Sequence, residues 1–173
     1  MASSLKNLSS YNDDSIPMAT DMTFGIVVAE WNEHITHALY DGCVSTLLKH
    51  GVKEDNIHVA QVPGAFELPT AGRLLAARYP TIDAVICLGC VIKGETQHDE
   101  YINMSVANAL QNLSITLAKP FIFGLLTPND EQQALDRAGG KHGNKGIEAG
   151  VTAIRMAALK QDMSGKKKEK IGF

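Results

Sequence analysis

The stretch Lys93-Gly94-Glu95-Thr96-Gln97-His98 sets a glycine, a hydroxyl and an imidazole close together, just before a helical period begins. A glycine turn leading into a helix N-terminus offers converging backbone N–H groups, and with the Thr96 hydroxyl it makes an anion site. His98 has a reference pKa of about 6.5 and can shuttle a proton beside a bound phosphate. Earlier in the chain, Glu30-Trp31-Asn32 sets an aromatic plate next to an amide that both donates and accepts. In Val62-Pro63-Gly64-Ala65-Phe66-Glu67-Leu68-Pro69, Gly64 permits close backbone approach and Glu67 puts a carboxylate at a helix start. Further on, Phe123 and Leu125 can wall a pocket, and Arg137 precedes the glycine-rich loop Gly139 to Gly146. Taken singly, each has an ordinary explanation: a tryptophan capping a core, a glutamate complementing a helix dipole, a histidine on a surface turn. Their company is what raises them.

Other spacings are weaker. The loop Gly139-Gly140-Lys141-His142-Gly143-Asn144-Lys145-Gly146 fits the Walker A pattern in no register, so an ATP site is not supported. Glu33-His34-Ile35-Thr36-His37 lacks the His-Glu-x-x-His order of zinc hydrolases and reads as an exposed helical turn. Cys87 and Cys90 have the spacing of a redox or zinc pair, but they lie in the apolar run Ala84 to Ile92. On a strand, three residues put their Cα atoms ~10 Å apart and on opposite faces, too far for a disulfide. No second cysteine pair exists to complete a zinc site, so no metal is expected.

The elements that must position these groups alternate. Phe24 to Ala29 is a short β-branched run typical of a strand covered on both faces. From Ile35 the apolar residues recur at helical spacing, with Asn32 read as the cap and Gly51 as the stop. A strand near Ile57 to Val62, a helix from about Glu67 to Arg78 with Pro69 in its first turn, a strand over 84–92 and a helix from about Asp99 to Ala118 follow. Phe121 to Leu126 forms a fourth strand. Thr127-Pro128-Asn129-Asp130 is read as a capping Thr with a first-turn Pro before a short helix ended by Gly139-Gly140, and a last helix runs from about Asn144 to Met163. This alternation implies a parallel sheet with helices on both faces, whose ligands bind beyond the carboxyl ends of the strands. The chemistry-bearing segments fall there.

The 173 residues are 45% hydrophobic and 20% charged, as expected of one soluble globular domain. No apolar run is long enough to span a bilayer, and the polar N-terminus does not resemble a signal peptide, so a cytoplasmic location is expected. The net charge is −3, and the body is more acidic still once Lys166, Lys167, Lys168 and Lys170 of the last ten residues are set aside. An acidic body is a poor platform for nucleic acid. Residues 1–22 are read as a polar arm, 23–163 as the domain, and 164–173 as a basic disordered tail.

Together these segments resemble the lumazine synthase family, the β subunit of riboflavin synthase complexes. The marks are Trp31-Asn32, VPGAFELP at 62–69, LGCVIKGETQH at 88–98, Phe123 within FIFGLLT, and RAGGKHGNKG at 137–146, across most of Phe24 to Leu159. The resemblance implies an α/β fold, a three-layer α/β/α sandwich with a flavodoxin-like four-stranded parallel sheet and an N-terminal arm. It implies a transferase of riboflavin biosynthesis that condenses a ribitylamino-pyrimidinedione with a dihydroxybutanone phosphate through imine formation, phosphate elimination and ring closure, with no cofactor. By the same resemblance Trp31 stacks on the pyrimidinedione, while Asn32, Ala65, Phe66 and Glu67 hold its substituents and ribityl chain. Backbone at Val91 and Ile92, with Lys145, completes that site. Glu95 and Thr96 match the phosphate turn, His98 the proton-transfer residue, and Phe123 and Arg137 come from a neighbouring subunit. A homopentamer or an icosahedral 60-mer is implied, and whether a cage encloses riboflavin synthase stays open.

The family often has Phe where Trp31 stands and commonly an aromatic where this chain has Asp99, a carboxylate able to perturb His98. Three other readings share the fold: a flavodoxin-like module that binds without turnover, a structural shell protein, and an archaeal-type riboflavin synthase that dismutates two lumazines.

Overall fold

A computed structural model describes residue 7 and residues 9–165, so the arm's first residues and most of the lysine-rich tail lie outside the described residues. The chain runs β1 (Phe24–Ala29), α1 (Glu33–Lys49), β2 (Ile57–Val62), α2 (Leu68–Arg78), β3 (Ala84–Cys90), α3 (His98–Leu117), β4 (Phe121–Leu126), α4 (Glu131–Leu135), β5 (Ala138–Gly140), β6 (Gly143–Asn144) and α5 (Lys145–Met163). β1 to β4 form one parallel sheet in the order β2-β1-β3-β4. That is the flavodoxin-like order without its fifth strand, and the direction of winding reverses between β1 and β3.

β1 and β3 are buried along their whole length because both sheet faces are covered. Alternate residues supply two cores. Phe24, Ile26, Val28, Ile86 and Leu88 pack with Leu39, Leu47 and Ile154 of α1 and α5. On the other face, Val27, Val85 and Cys87 pack with Leu68, Leu75, Val106 and Leu110 of α2 and α3. Burying a large aliphatic side chain contributes roughly 1.5–3 kcal/mol, so these layers dominate stability. Cys87 and Cys90 fall in different cores and are free thiols, as their strand spacing requires. Burial pushes both thiols up to about 12. Among the described residues, no helix is long and apolar enough to cross a membrane.

Four local expectations are corrected. Packing begins before Phe24, because Ile16, Ala19 and Met22 are buried in the α1–α5 core. Asn32 does not cap α1 with its side chain: it adopts a left-handed φ of 61° and bonds elsewhere. Asp130 rather than Thr127 caps α4, accepting from Gln133 N at 2.8 Å. Thr127 and Pro128 stay extended because Lys93 N donates to Pro128 O, continuing the β3–β4 pairing beyond the strands. Finally, Gly139 and Gly140 lie in the β5–β6 hairpin, whose turn uses positive φ at Gly139 and Gly143.

The N-terminal segment meets the far end of α1 at His50. Ala19 N donates to His50 O at 2.8 Å, and the imidazole is 5% exposed with Nε2 lacking a hydrogen-bond partner, 3.7 Å from Asp13 Oδ1. Burial lowers the His50 pKa from its ordinary 6.5, with Lys49 adding to the effect and Asp13 opposing it. The unfolded chain therefore binds the proton more readily. The His50 contribution is intact above pH 6.5 and is lost as pH falls through the lowered folded value. Denaturant unfolding across mildly acidic pH should show this loss, and His50→Gln should flatten it. Parallel stability curves for the two proteins would exclude His50 as the source.

Candidate active site

The carboxyl ends of β2, β1 and β3 are tied together by the segments that follow them. Glu30 N donates to Val62 O at 2.8 Å and Trp31 N to Pro63 O at 3.1 Å, holding the end of β1 to the loop after β2. Asn32 then turns left-handed and its Nδ2 donates to Cys90 O at 3.1 Å, bridging to the end of β3. Its carbonyl accepts from Ile35 N and Thr36 N and so starts α1. The brace lies where the sheet order reverses, the place at which open α/β sheets leave a crevice. Trp31, 73% exposed, stands at its mouth.

After β2, Ala65–Glu67 form a single 3-10 turn before Pro69 enters the first turn of α2. Ala65 is buried against β3, where Gly89 leaves the room: a Cβ there would meet Leu125, Leu68 and Ala65. Phe66 is exposed beside it. Glu67 is also exposed, with its carboxylate folded back over Gly64, where a Cβ would lie 3.1 Å from Oε2.

After β3, Val91 and Ile92 are half-buried. Val91 N is consumed by Leu126 O at 2.9 Å, so that donor is not offered to a ligand. The turn beyond is open. Nothing lies within 4 Å of a Cβ built on Gly94, and Glu95, Thr96 and His98 are all exposed. Gly94 N donates to Asp99 Oδ1 and His98 N to Thr96 Oγ1, both at 3.4 Å. These long, weak bonds close the turn on its own carboxylate and hydroxyl. Asp99, suspected of acting on the imidazole of His98, turns instead to the Gly94 amide.

The remaining candidates lie elsewhere. Phe123, 37% exposed, is the one exposed position of the edge strand β4 and pairs in register with Cys87, on the α2–α3 face. Arg137 follows α4, its Nη1 donating to Gln133 O at 3.0 Å, while Ala134 and Ala138 on either side pack into the opposite core. Lys145 N donates to Arg137 O at 2.8 Å, and Lys145 Nζ pairs with Glu148 Oε1 at 2.8 Å. Lys145 and Arg137 thus stand at the two ends of one hairpin. Their hairpin is docked on α1 by Asn144, which accepts from Gly146 N and donates to Ala38 O at 2.8 Å, about 10 Å along the helix from Asn32. The strand-end segments thus carry Trp31, Asn32, Ala65, Phe66, Glu67, Glu95, Thr96 and His98, while Arg137 and Lys145 share the hairpin and Phe123 stands by itself on β4. One groove of about 300 Å³ lies beneath the N-terminal segment, and another of about 270 Å³ runs beside the ends of β1 and β2, lined by Val28, Val59 and Gln61 with His37, Tyr40 and Asp41 of α1.

Sequence reasoning passed over Asn144 as a mere helix start. An Asn two residues before a helical glycine was the available signal, since Asn144 caps α5. It also set His34 aside, yet His34 Nε2 lies 2.9 Å from Glu131 Oε1 and joins the start of α1 to α4. The geometry of Asn32 gives a direct test. Asn32→Gly keeps the left-handed turn and loses only the brace, whereas Asn32→Ala loses both, so the Ala variant should unfold with about 1 kcal/mol less stability. Equal stabilities would mean that the turn is not what Asn32 is needed for.

The sequence model of the 6,7-dimethyl-8-ribityllumazine synthase family matches residues 21–161. Among curated relatives of that name, the protein of Cytophaga hutchinsonii is 52% identical over 158 residues, covering 91% of this chain and 98% of its own. That of Parabacteroides distasonis is 52% identical over 156 residues, covering 90% and 97%. That of Porphyromonas gingivalis is 49% identical over 161 residues, covering 93% and 99%. With the sheet order and the braced strand ends, a match over nearly the whole folded chain means that this protein belongs to the 6,7-dimethyl-8-ribityllumazine synthase family.

Proposed function

We propose that this chain condenses 5-amino-6-(D-ribitylamino)uracil with 3,4-dihydroxy-2-butanone 4-phosphate at the ends of β1, β2 and β3, forming 6,7-dimethyl-8-ribityllumazine for riboflavin biosynthesis. The observation that supports the site assignment is the Asn32–Cys90 brace, which ties the end of β1, next to Trp31, to the end of β3, from which the chain runs on to Glu95, Thr96 and His98. Trp31 stacks on the pyrimidinedione, with Asn32, Ala65, Phe66 and Glu67 fixing its substituents and ribityl hydroxyls. Val91 and Ile92 line the floor. The turn at Glu95 and Thr96 takes the phosphate through its backbone N–H groups, displacing the Asp99 carboxylate from Gly94.

The amine adds to the ketone, and loss of water gives the imine. Loss of the C3 proton then expels inorganic phosphate from C4 and leaves an enol, which tautomerises to a ketone at C3, and attack of the second nitrogen on that new carbonyl closes the ring with loss of another water. His98 takes a proton from the attacking amine and returns it to the departing hydroxyl. Holding amine and carbonyl together supplies most of the rate, with proton transfer adding ~10²–10⁴-fold. An absorbance assay with both substrates should show the lumazine forming. His98→Ala should lower kcat while leaving substrate affinities nearly intact. Binding without turnover by the unaltered chain would favour a flavodoxin-like module, and an unchanged kcat in His98→Ala would remove His98 from the mechanism.

The site reads as shared between copies. Phe123 on β4 and Arg137 before the hairpin lie outside the strand-end segments, so a neighbour's Phe123 and Arg137 are what complete the phosphate end. Apolar side chains await cover elsewhere: Tyr101, Met104 and Ile115 of α3 and Val59 on the edge strand β2 are all exposed. A cyclic pentamer buries such surface. The hairpin over 138–146, without insertion, fits a sixty-subunit cage able to enclose riboflavin synthase, and the setting is cytoplasmic. Light scattering should give at least a pentamer. A fully active species near the 18.6 kDa monomer would sink the shared site.

A further inference from the structure

The N-terminal segment does more than begin the chain. It crosses α1 and α5 and is held at separate points. Asp13 carboxylate oxygens lie 2.8 Å from Lys49 Nζ, Arg155 Nη2 donates to Ser15 Oγ at 2.8 Å, and Ile16 and Ala19 are buried beyond. At its other end Ser9 Oγ accepts from Asn144 N at 2.9 Å, across 135 residues of sequence. Asn7 and Ser9 both lie against Gly143, whose φ of +81° leaves no room for a side chain on that side. The β5–β6 hairpin is thereby clamped between this segment and α1, which it meets through Asn144 Nδ2 and Ala38 O. Tyr11, Ile16 and Ala19 pack against the core, while a groove of about 300 Å³ remains beneath the segment near Ser9, Asp13, Ser45 and Lys49, so at the hairpin end polar tethers carry the attachment.

The clamped hairpin also carries the cations. Arg137 immediately precedes β5, Lys145 immediately follows β6, and the Lys145 N to Arg137 O bond closes the hairpin between them. Asn144, whose N–H meets Ser9, is the residue next to Lys145. A shift of the hairpin away from α1 moves both side chains relative to whatever they face.

We propose that the segment beginning at Ser9 is a strap acting within its own chain to set the Arg137–Lys145 hairpin, which makes Ser9 a positioning residue for the phosphate-bearing substrate. The inference rests on the reading of Arg137 as a phosphate ligand. Arg137 engages phosphate only from a fixed position, because paired charge-assisted hydrogen bonds are directional. The pyrimidinedione end of the site is built on β1, β2 and β3, and the Ser9–Asn144 bond reaches it only through the body of α1.

Steady-state kinetics on the assembled full-length enzyme test this with Ser9→Ala, Ser9→Thr and Arg137→Ala. Ser9→Ala should raise KM for dihydroxybutanone phosphate about threefold to tenfold, the range a single lost hydrogen bond gives. KM for the pyrimidinedione and kcat should stay within about twofold, a change smaller than one such bond produces. Ser9→Thr retains the hydroxyl and should restore the original KM. A selective KM rise in Arg137→Ala with none in Ser9→Ala would overturn the strap while sparing the role of Arg137. Equal losses for both substrates in Ser9→Ala, or no rescue by Thr, would reduce Ser9 to general stability and overturn the proposal. No selective effect in Arg137→Ala would remove the phosphate reading itself, and the strap's role with it.

Discussion

Where the sheet order reverses, Asn32 donates from Nδ2 to the Cys90 carbonyl at 3.1 Å while its own backbone stands at a φ of 61°. A parallel sheet leaves its strand ends splayed by twist, and loops that run off in separate directions cannot converge on one small molecule. The bond from Asn32, joined by Trp31 N to Pro63 O, draws three loops to one place and fixes the start of α1 in the same step. Asparagine suits the position because it tolerates the left-handed region better than other side chains and still carries a donor. What lies around it depends on that junction: the plate of Trp31, the turn carrying Phe66 and Glu67, and the open turn leading to His98.

A second constraint operates on the other side of the molecule. α1 and α5 approach so closely that Gly146 lies against the backbone of Leu39 and Gly150 against Thr46. Gly42 leaves the space that the Asn144 side chain fills. Small residues at the contact bring the helices together, and Asn144 satisfies polar groups there that close packing would otherwise strand. The hairpin between α4 and α5 is carried along with this docking. Its position is a consequence of helix packing and not of the strands, and so Arg137 and Lys145 end up apart from the strand-end groups.

That separation gives the exposed side chains their meaning. Trp31, Phe66 and Phe123 are large, apolar and uncovered, an arrangement that leaves hydrophobic area in water unless something rests on it. In the function proposed above, a substrate ring covers Trp31 and Phe66, and a neighbouring copy brings Phe123 to the site.

The alternation of strands and helices was legible from local pattern alone. β-branched runs such as Phe24 to Ala29 and Ala84 to Cys90 can bury both faces only as central strands, and glycines such as Gly51 mark where the intervening helices stop. The opposite facing of Cys87 and Cys90 followed from strand geometry, and the chemical residue types after each strand were visible for the same reason. Local pattern misread Asn32 as a side-chain cap and Thr127 as the start of α4, because a bond to Cys90 and pairing with Lys93 lie far away in the chain. It also gave no sign that Ile16, Ala19 and Met22 belong to the core, since three apolar residues in a polar stretch have no period. The partners of Asn144 lie 106 and 135 residues away, at Ala38 and Ser9. Sequence sets which residues can make such bonds, but only the packing of α5 on α1 decides that they meet.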